Sequence, residues 1–426
     1  MLPDFGETAL RLRPRSPAAR PQLARKSASR DPPMSPNRNI LAGASPPTVV
    51  VLHRGGPIVR GTEAVLIRSA KALTASGYRL IVCRRNDCID HPLAALSPHT
   101  EFVDFSFPEL MLAGPKDCSL PIALYAKELL RLKALVERCH ATLLYCSGGL
   151  PCQLAVPVGR LKHIPVLCHF HHPAMRRAHY LWLARYADRR VFPSAFVQRH
   201  SRSGARHPGT VIYNGIDMAR FRPAAQRDRR WREQWGIAAD TVVIGQVGAL
   251  AANKRPDFLL LAFRALLKLS KHPVHLCLVG AGPMEGELRR LIDTQGLRGN
   301  VTLTGYVDDV LPYYQHVFDI NTLVSNEEGL GISVIEGSAC ALPAVVTDCT
   351  GLPETILDGK TGLLFEMSDL GGLQRQLLRL TEDPSLRTSM GQAGRSFAER
   401  QFSAISYDEK FMTIVNELLA RTRRAT

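Results

Sequence analysis

The feature that most restricts this chain is an alternation of short apolar runs with amphipathic helical stretches, met twice. TVVVLH at 48–53 is a β-branched run of the kind buried in a parallel sheet. A loop with Gly55, Gly56 and Gly61 follows, then a helical stretch, EAVLIRSAKALTASG, that stops at Gly77. YRLIVCRR is the next strand, and the rhythm continues through IALYAKELLRLKALVERC, ATLLYC, PCQLAVPVGRLK and PVLCHFH. At 206–223 a strand runs into Asn214-Gly215, and Pro223 and a charged run come next. The alternation then restarts with TVVIGQVGAL and runs to PAVVTD at 343–348. Strands separated by helices of this length form parallel sheets covered on both faces. The reading is therefore α/β: two doubly wound, Rossmann-like domains, 48–212 and 213–402, facing a central cleft. A last helix, 403–421, follows the second domain and joins the first.

Lys plus Arg exceed Asp plus Glu by 54 − 38 = 16. Residues 1–47 carry a net +5 and residues 176–232 a net +11, so the excess sits in two segments. The first is rich in Pro, Ser, Ala and Arg without apolar periodicity, and reads as a disordered basic tail. It lacks the apolar core of about 7–15 residues that a secretory signal carries. The second includes a stretch, 178–190, read as a helix. Nucleic-acid binders more often interleave basic and aromatic residues on one module, so nucleic acid is not expected as a partner. An anionic membrane surface fits better. No apolar run reaches about 18 residues, so no spanning helix is expected. The ten cysteines form no Cys-x-x-Cys pair, which argues against structural zinc and for a reducing, cytoplasmic setting.

In open parallel sheets, ligands sit beyond the carboxyl ends of strands. The richest such segment is 325–354, SNEEGLGISVIEGSACALPAVVTDCTGLPE. Gly329, Leu330 and Gly331 precede a helix, so backbone can approach a ligand closely and exposed N–H groups favour an anion. Glu336 follows Glu328 by eight residues, about two turns along the helix on nearly the same face. A carboxylate among Ile335, Ala339 and Cys340 needs partners, and ligand hydroxyls would serve. A lone Glu at such a spot is more often a solvated helical residue. GAGPMEG at 280–286 follows a strand but has the wrong spacing for a dinucleotide fingerprint. Ser194 has no nucleophile-elbow context and reads as a helix N-cap.

Together these segments resemble the family 4 retaining nucleotide-sugar glycosyltransferases. That family has the two-domain GT-B fold and a Glu-x7-Glu signature, matched here by Glu328 and Glu336 with Gly329, Gly331, Ala339, Pro343, Val345 and Val346. YNGID at 213–217 with Phe221, LVGAGPMEGELRRLI, VTLTGYVDD and GLPETILDGKTGLLF also match, in the family's order. The resemblance implies that the second domain binds a nucleoside-diphosphate sugar and the first an acceptor, carbohydrate or lipid-linked. It implies transfer with retention, with no cofactor and no metal, in polysaccharide, lipopolysaccharide or glycolipid synthesis. The place of work would be the cytoplasm or its membrane face.

By that resemblance Glu336 accepts from the ribose hydroxyls, Glu328 faces the transferred sugar, and amides at Gly329–Gly331 hold the sugar or its phosphate. Lys254 neutralises the diphosphate, where charge grows in the transition state. Gly61 lies in a loop over the diphosphate, although Arg60 replaces the glycine usual beside it. A first-domain His contacts the donor sugar. Counting from Pro165 puts His171 at the strand end, with His169 pointing the same way two residues earlier. Gly280 and Gly282 lie in the donor domain near the nucleotide. Ala249 stands where the family has a second diphosphate cation: either Arg255 or an Arg of 176–232 substitutes, or catalysis is impaired or the donor is unusual. The alternative reading is a non-catalytic nucleotide-sugar or polyanion binder on a degenerate scaffold.

Overall fold

The computed structural model describes residues 46–56, 61–108, 121–172, 183–201 and 209–425. Most of the basic tail, Arg60 and residues 178–182 of the Arg-rich stretch lie outside them. The first lobe holds β1 (Thr48–His53), β2 (Arg79–Arg84), β3 (Glu101–Asp104), β4 (Ala141–Ser147), β5 (Val166–His169), β6 (Arg189–Phe192) and β7 (Thr210–Val211). They form one parallel sheet in the order β3-β2-β1-β4-β5-β6-β7. Its helices are α1 (Gly61–Ala75), α2 (Asp90–Leu96), α3 (Ile122–Arg138), α4 (Cys152–Lys162) and α5 (Ala195–His200).

The second lobe holds α6 (Arg230–Glu233), β8 (Val242–Val247), α7 (Pro256–Leu266), β9 (Val274–Val279), α8 (Glu285–Thr294) and β10 (Val301–Leu303). It continues through β11 (Ile320–Leu323), α9 (Ile332–Ala339), β12 (Ala344–Asp348), β13 (Gly362–Glu366), α10 (Leu370–Glu382) and α11 (Pro384–Gln401). Its six strands are parallel in the order β10-β9-β8-β11-β12-β13. β1 and β8 are buried along their whole length, as expected of apolar runs covered on both faces. In each sheet the strand order reverses beside the first strand, at β1/β4 and β8/β11, and a crevice opens at such a point.

The last helix, α12 (Ala404–Ala425), belongs to the first lobe's core. Tyr407, Phe411, Ile414, Val415 and Leu418 pack with Val49, Val51, Leu66, Leu73 and Leu143. Arg68 of α1 pairs with Asp408 through its Nε and Nη2 donors, one on each carboxylate oxygen. The chain crosses between lobes near 214–217 and again near 402–404, and the two crossings are tied together. Ile216 N–H donates to Phe402 O at 2.7 Å, and Ala404 N–H donates to Ile216 O at 2.9 Å. Gly215 is required there, because a β-carbon would stand 2.6 Å from Tyr407 Cβ and 2.8 Å from Ala404 Cα.

One expected element is corrected. The described part of 178–190 is a short 3-10 turn at Ala184–Tyr186 followed by β6, not a continuous helix. Arg189 and Arg190 pair with Leu167 and Cys168 of β5. This pairing, closed by Asp188 accepting from Val166 N–H at 2.8 Å, overrides the local helical composition.

Candidate functional site

The second lobe presents a charged pair at its switch point. Lys254 ends a 3-10 turn after β8, and Glu328 lies in the loop after β11. The Lys254 ammonium contacts Glu328 Oε1, with the two side chains 21% and 8% exposed. Neither position is left to the side chains alone. Gln246 of β8 donates to Lys254 O at 3.2 Å and accepts from Val324 N–H at 2.9 Å. Ser325 Oγ and Asn326 N–H both donate to Asn253 O at 2.8 Å, stitching the two loops together. Glu328 N–H donates to Thr350 Oγ1 at 2.8 Å. These bonds fix the backbone from which the ammonium and the carboxylate are presented.

Glu336 sits differently from the expectation. The helix starts only at Ile332, after Gly331 at φ +96°, so Glu328 is a loop residue and Glu336 lies in the second turn of α9. A shared helical face does not relate them. Tyr314 donates to Glu336 Oε2 at 3.0 Å, from a π-helical turn at Tyr313–Val317. Burial pushes the Glu336 carboxyl up to about 7 against that hydrogen bond. Leu330 is buried in the apolar cluster beneath the loop. Gly331 is needed for its backbone, and for Leu352 Cδ2, which would lie 2.5 Å from a β-carbon.

The first lobe contributes a group of imidazoles. β5 ends at His169, not at His171, so His171 lies two residues beyond the strand. The rings are nonetheless neighbours, with centroids 4.9 Å apart. His171 Nε2 is 3.0 Å from Ser147 Oγ, at the end of β4. His169 Nδ1 is 3.0 Å from the Tyr145 hydroxyl. Ser69 Oγ donates to Val65 O and Tyr145 donates to Ser69 Oγ, so the Tyr145 oxygen accepts from His169 Nδ1–H. This chain assigns the tautomer and leaves the buried Nε2 with its lone pair. Burial holds the His169 imidazole down to about 3 and His171 well below its ordinary value, so both are neutral. His53, at the end of β1, lies 3.4 Å from Glu63 Oε1, which also accepts from Gly56 N–H at 3.3 Å.

The halves meet at a seam. Gly329 lies so close to the His171 carbonyl that a β-carbon would be 2.0 Å from its oxygen. Ser194 caps α5 by accepting from Val197 N–H, and donates to Gly329 O at 2.6 Å. Glu354 accepts from Ala195 N–H, Phe196 N–H and the Tyr213 hydroxyl at 2.7–3.0 Å. Burial and that carboxylate push the Tyr213 phenol up to about 12, keeping it a donor. Gly61 opens α1 opposite the second lobe, with Ile332 Cδ1 3.2 Å from where its β-carbon would be.

The structure thus brings Lys254, Glu328, Gly329 and His171 to one seam, with His169 behind it. Three further expected residues have close neighbours within the second lobe. Arg255 lies 3.4 Å from Asp257 and over the Phe258 ring. Gly280 and Gly282 abut the loop after β8: β-carbons there would meet Gly248 O at 2.1 Å and Leu250 O at 2.3 Å. Their glycines serve loop-to-loop contact. Tyr145, Ser147, Tyr314 and Glu354 escaped the sequence reading. Ser147 was within reach of it, since it ends a strand at the switch point. The other three act through partners distant in the chain.

Two family models match. Glycosyltransferase Family 4 matches residues 59–220, and Glycosyl transferases group 1 matches residues 227–397. The chain is 30% identical over 291 residues to a GDP-mannose-dependent alpha-(1-6)-phosphatidylinositol monomannoside mannosyltransferase of Mycolicibacterium smegmatis, covering 63% of this chain and 74% of that one. It is 31% identical over 250 residues to a GDP-mannose-dependent monoacylated alpha-(1-6)-phosphatidylinositol monomannoside mannosyltransferase of Corynebacterium glutamicum. That match covers 55% of this chain and 61% of the relative. Among solved structures, Anabaena Alr3699/HepE in complex with UDP superposes with a TM-score of 0.73 at 19% identity, covering 87% of this chain and all of that one. At that identity the likeness speaks for the fold, which is GT-B.

Proposed function

Since this chain belongs to the family 4 glycosyltransferases, we propose that it moves a sugar from a nucleoside-diphosphate donor to an acceptor hydroxyl with retention of configuration. The observation that carries the reading is the Lys254–Glu328 pair at the second sheet's switch point, one residue from where Gly329 meets the His171 carbonyl across the seam. An incoming diphosphate would take Lys254 from Glu328. The ammonium then stabilises the charge that builds as the sugar C1–O bond breaks. Glu328, released, faces the sugar. The acceptor oxygen attacks from the side the diphosphate leaves, and its proton passes to a leaving phosphate oxygen. Glu336 accepts from the ribose hydroxyls. Closure of the lobes at the seam excludes the water that would hydrolyse the donor. Lys254, rather than a divalent cation, meets the diphosphate charge, so turnover in EDTA is a direct check.

The two relatives named for GDP-mannose and phosphatidylinositol mannosides favour a glycolipid product. No helix among the described residues is long and apolar enough to cross a membrane, and the basic first lobe supports peripheral attachment to an anionic leaflet. The first experiment is a melting-temperature panel with UDP, GDP, ADP and CDP, since a ligand of the native state raises stability. One nucleotide should raise the melting temperature, and its sugar conjugate should turn over. No shift with any of the four sinks the donor assignment.

A further inference from the structure

α9 carries Glu336 between two ends that meet different parts of the chain. Its first turn reaches the seam, where Ile332 Cδ1 stands 3.2 Å from the place of a β-carbon on Gly61. Its last carbonyl, Ala339 O, accepts from Arg395 Nη1 of α11 at 2.6 Å. A cation there also suits the negative end of the helix dipole. The same guanidinium reaches the chain that crosses between the lobes. Nη1 donates to Phe221 O as well, and Nη2 to Met218 O at 3.0 Å. Nε goes to Glu399, one turn along α11, at 2.6 Å. One planar fork thus bridges the end of α9 and the turn that follows the crossing at 214–217. The Arg395 side chain is only 19% exposed, so little water competes for these carbonyls.

That turn is a formed object, not slack chain. Asp217 Oδ1 accepts from Ala219 N–H and Arg220 N–H at 3.0 and 3.1 Å, and Asp217 O accepts from Phe221 N–H at 2.8 Å. It meets the surroundings of Glu336 a second time. The Phe221 ring stands edge-on to Tyr314 at 6.2 Å, and Tyr314 holds Glu336 Oε2. α11 is pressed against the far end of α9 as well, since a β-carbon on Gly391 would lie 2.0 Å from Ala341 O. A helix of 8 residues is about 12 Å long and moves as one piece. Whatever fixes its last turn therefore fixes the carboxylate one turn earlier.

We infer that Arg395 is a positioning residue for the nucleotide: by tying the end of α9 to the interlobe turn at 217–221, it sets Glu336 within reach of the ribose hydroxyls. This rests on the reading of Glu336 as the ribose acceptor. Arg395 itself touches no substrate. Its effect falls on the part of binding that depends on the ribose, not on the part that Lys254 supplies through the diphosphate.

The test uses the full chain with the tightest-binding of UDP, GDP, ADP and CDP, and the 2′,3′-dideoxy form of the same nucleotide. Calorimetric titration gives the ratio of the two affinities, which reports the ribose hydroxyls alone. The wild type should prefer the ribonucleotide by about tenfold or more. Arg395→Met should cut that preference at least about threefold. Arg395→Lys, whose single ammonium cannot span both sets of carbonyls, should fall between Arg395→Met and wild type. A general loss of stability would weaken both nucleotides equally and leave the ratio alone. In a Glu336→Ala background, Arg395→Met should change the ratio no further, because it acts through that carboxylate. A wild-type ratio in both Arg395 variants overturns the inference, and so does an Arg395→Met effect of full size in the Glu336→Ala background. If Arg395→Met does not fold, Arg395→Lys decides alone, and a wild-type ratio there overturns the inference. Failure of the ribose reading shows separately, as equal affinity of the wild type for the two nucleotides or an unchanged ratio in Glu336→Ala, and it takes this inference with it.

Discussion

Gly329 and His171 touch backbone to backbone across the seam, with 2.0 Å between the His171 oxygen and the place a β-carbon on Gly329 would take. Contact of that kind is open only to glycine. Gly329→Ala should therefore hold the lobes apart by roughly an ångström, without disturbing either core. Misplacement on that scale costs about 100-fold in turnover when reacting groups must meet across the gap. The expected result is a fall of that order in kcat with a melting temperature within a few degrees of wild type. Small-angle scattering of the nucleotide complex should show a larger radius of gyration. Wild-type turnover in Gly329→Ala would mean that the seam need not close this tightly.

The Lys254–Glu328 pair separates binding from chemistry. Lys254→Ala removes the cation, so both nucleoside-diphosphate affinity and turnover should fall, turnover by about 100- to 1,000-fold. Glu328→Ala removes a competitor for the ammonium. Diphosphate affinity should hold or rise while transfer drops. Titration calorimetry with the nucleoside diphosphate, beside steady-state kinetics, distinguishes the two. Parallel losses of affinity in both variants would make the pair a structural ion pair only.

The layered α/β architecture was legible because the central strands of each sheet are continuous apolar runs and several of the loops after them carry glycine. TVVVLH and TVVIGQV declare β1 and β8 without help. β6 was hidden because Arg189 and Arg190 lie in a strand whose pairing with β5 is a tertiary fact. Lys254 and Glu328 could be singled out because motif order places both after central strands. The Tyr314–Glu336 bond could not, since a π-helical turn aims the phenol and no local periodicity announces one. The surroundings of Arg255 were hidden for a related reason. Its backbone is left-handed at φ +41°, and its side chain turns to Asp257 at the start of α7.

With Glu336 at the ribose, as proposed, nucleotide binding should be sensitive to pH. Its carboxyl stands at about 7 in the fold, above its ordinary value of 4.5, because burial penalises the charge. A raised folded pKa means the native state holds an extra proton across that window. The group's contribution to stability is fully present below about pH 4.5 and is lost as pH rises through about 7. The ribose hydroxyls need the carboxylate form as acceptor, so nucleotide affinity should climb as pH rises through the same value. Glu336→Gln should flatten both dependences. Melting curves and nucleotide titrations from pH 5 to about 8.5 read them, and an unchanged affinity slope in the variant would remove Glu336 from the ribose site.

His169 is set by a relay that begins in the last helix. Tyr407 of α12 lies 2.6 Å from Ser69 Oγ, Tyr145 donates to Ser69, and the Tyr145 oxygen faces His169 Nδ1 at 3.0 Å. The His169 ring also lies near-parallel to both Tyr407 and Phe411, whose own rings stack 5.8 Å apart. Tyr145→Phe strands a buried N–H and should cost about 1–3 kcal/mol in unfolding. The freed imidazole can also adopt its other tautomer, which would convert the bare Nε2 to a donor. Tyr407→Phe removes only one partner of Ser69 and should cost about 1 kcal/mol with the tautomer kept. If the lone pair on His169 Nε2 serves the reaction, Tyr145→Phe lowers kcat well beyond Tyr407→Phe while nucleotide affinity stays level in both. Nitrogen NMR of the histidine ring reports the tautomer directly, and equal kcat in the two variants would reduce the relay to a structural strut.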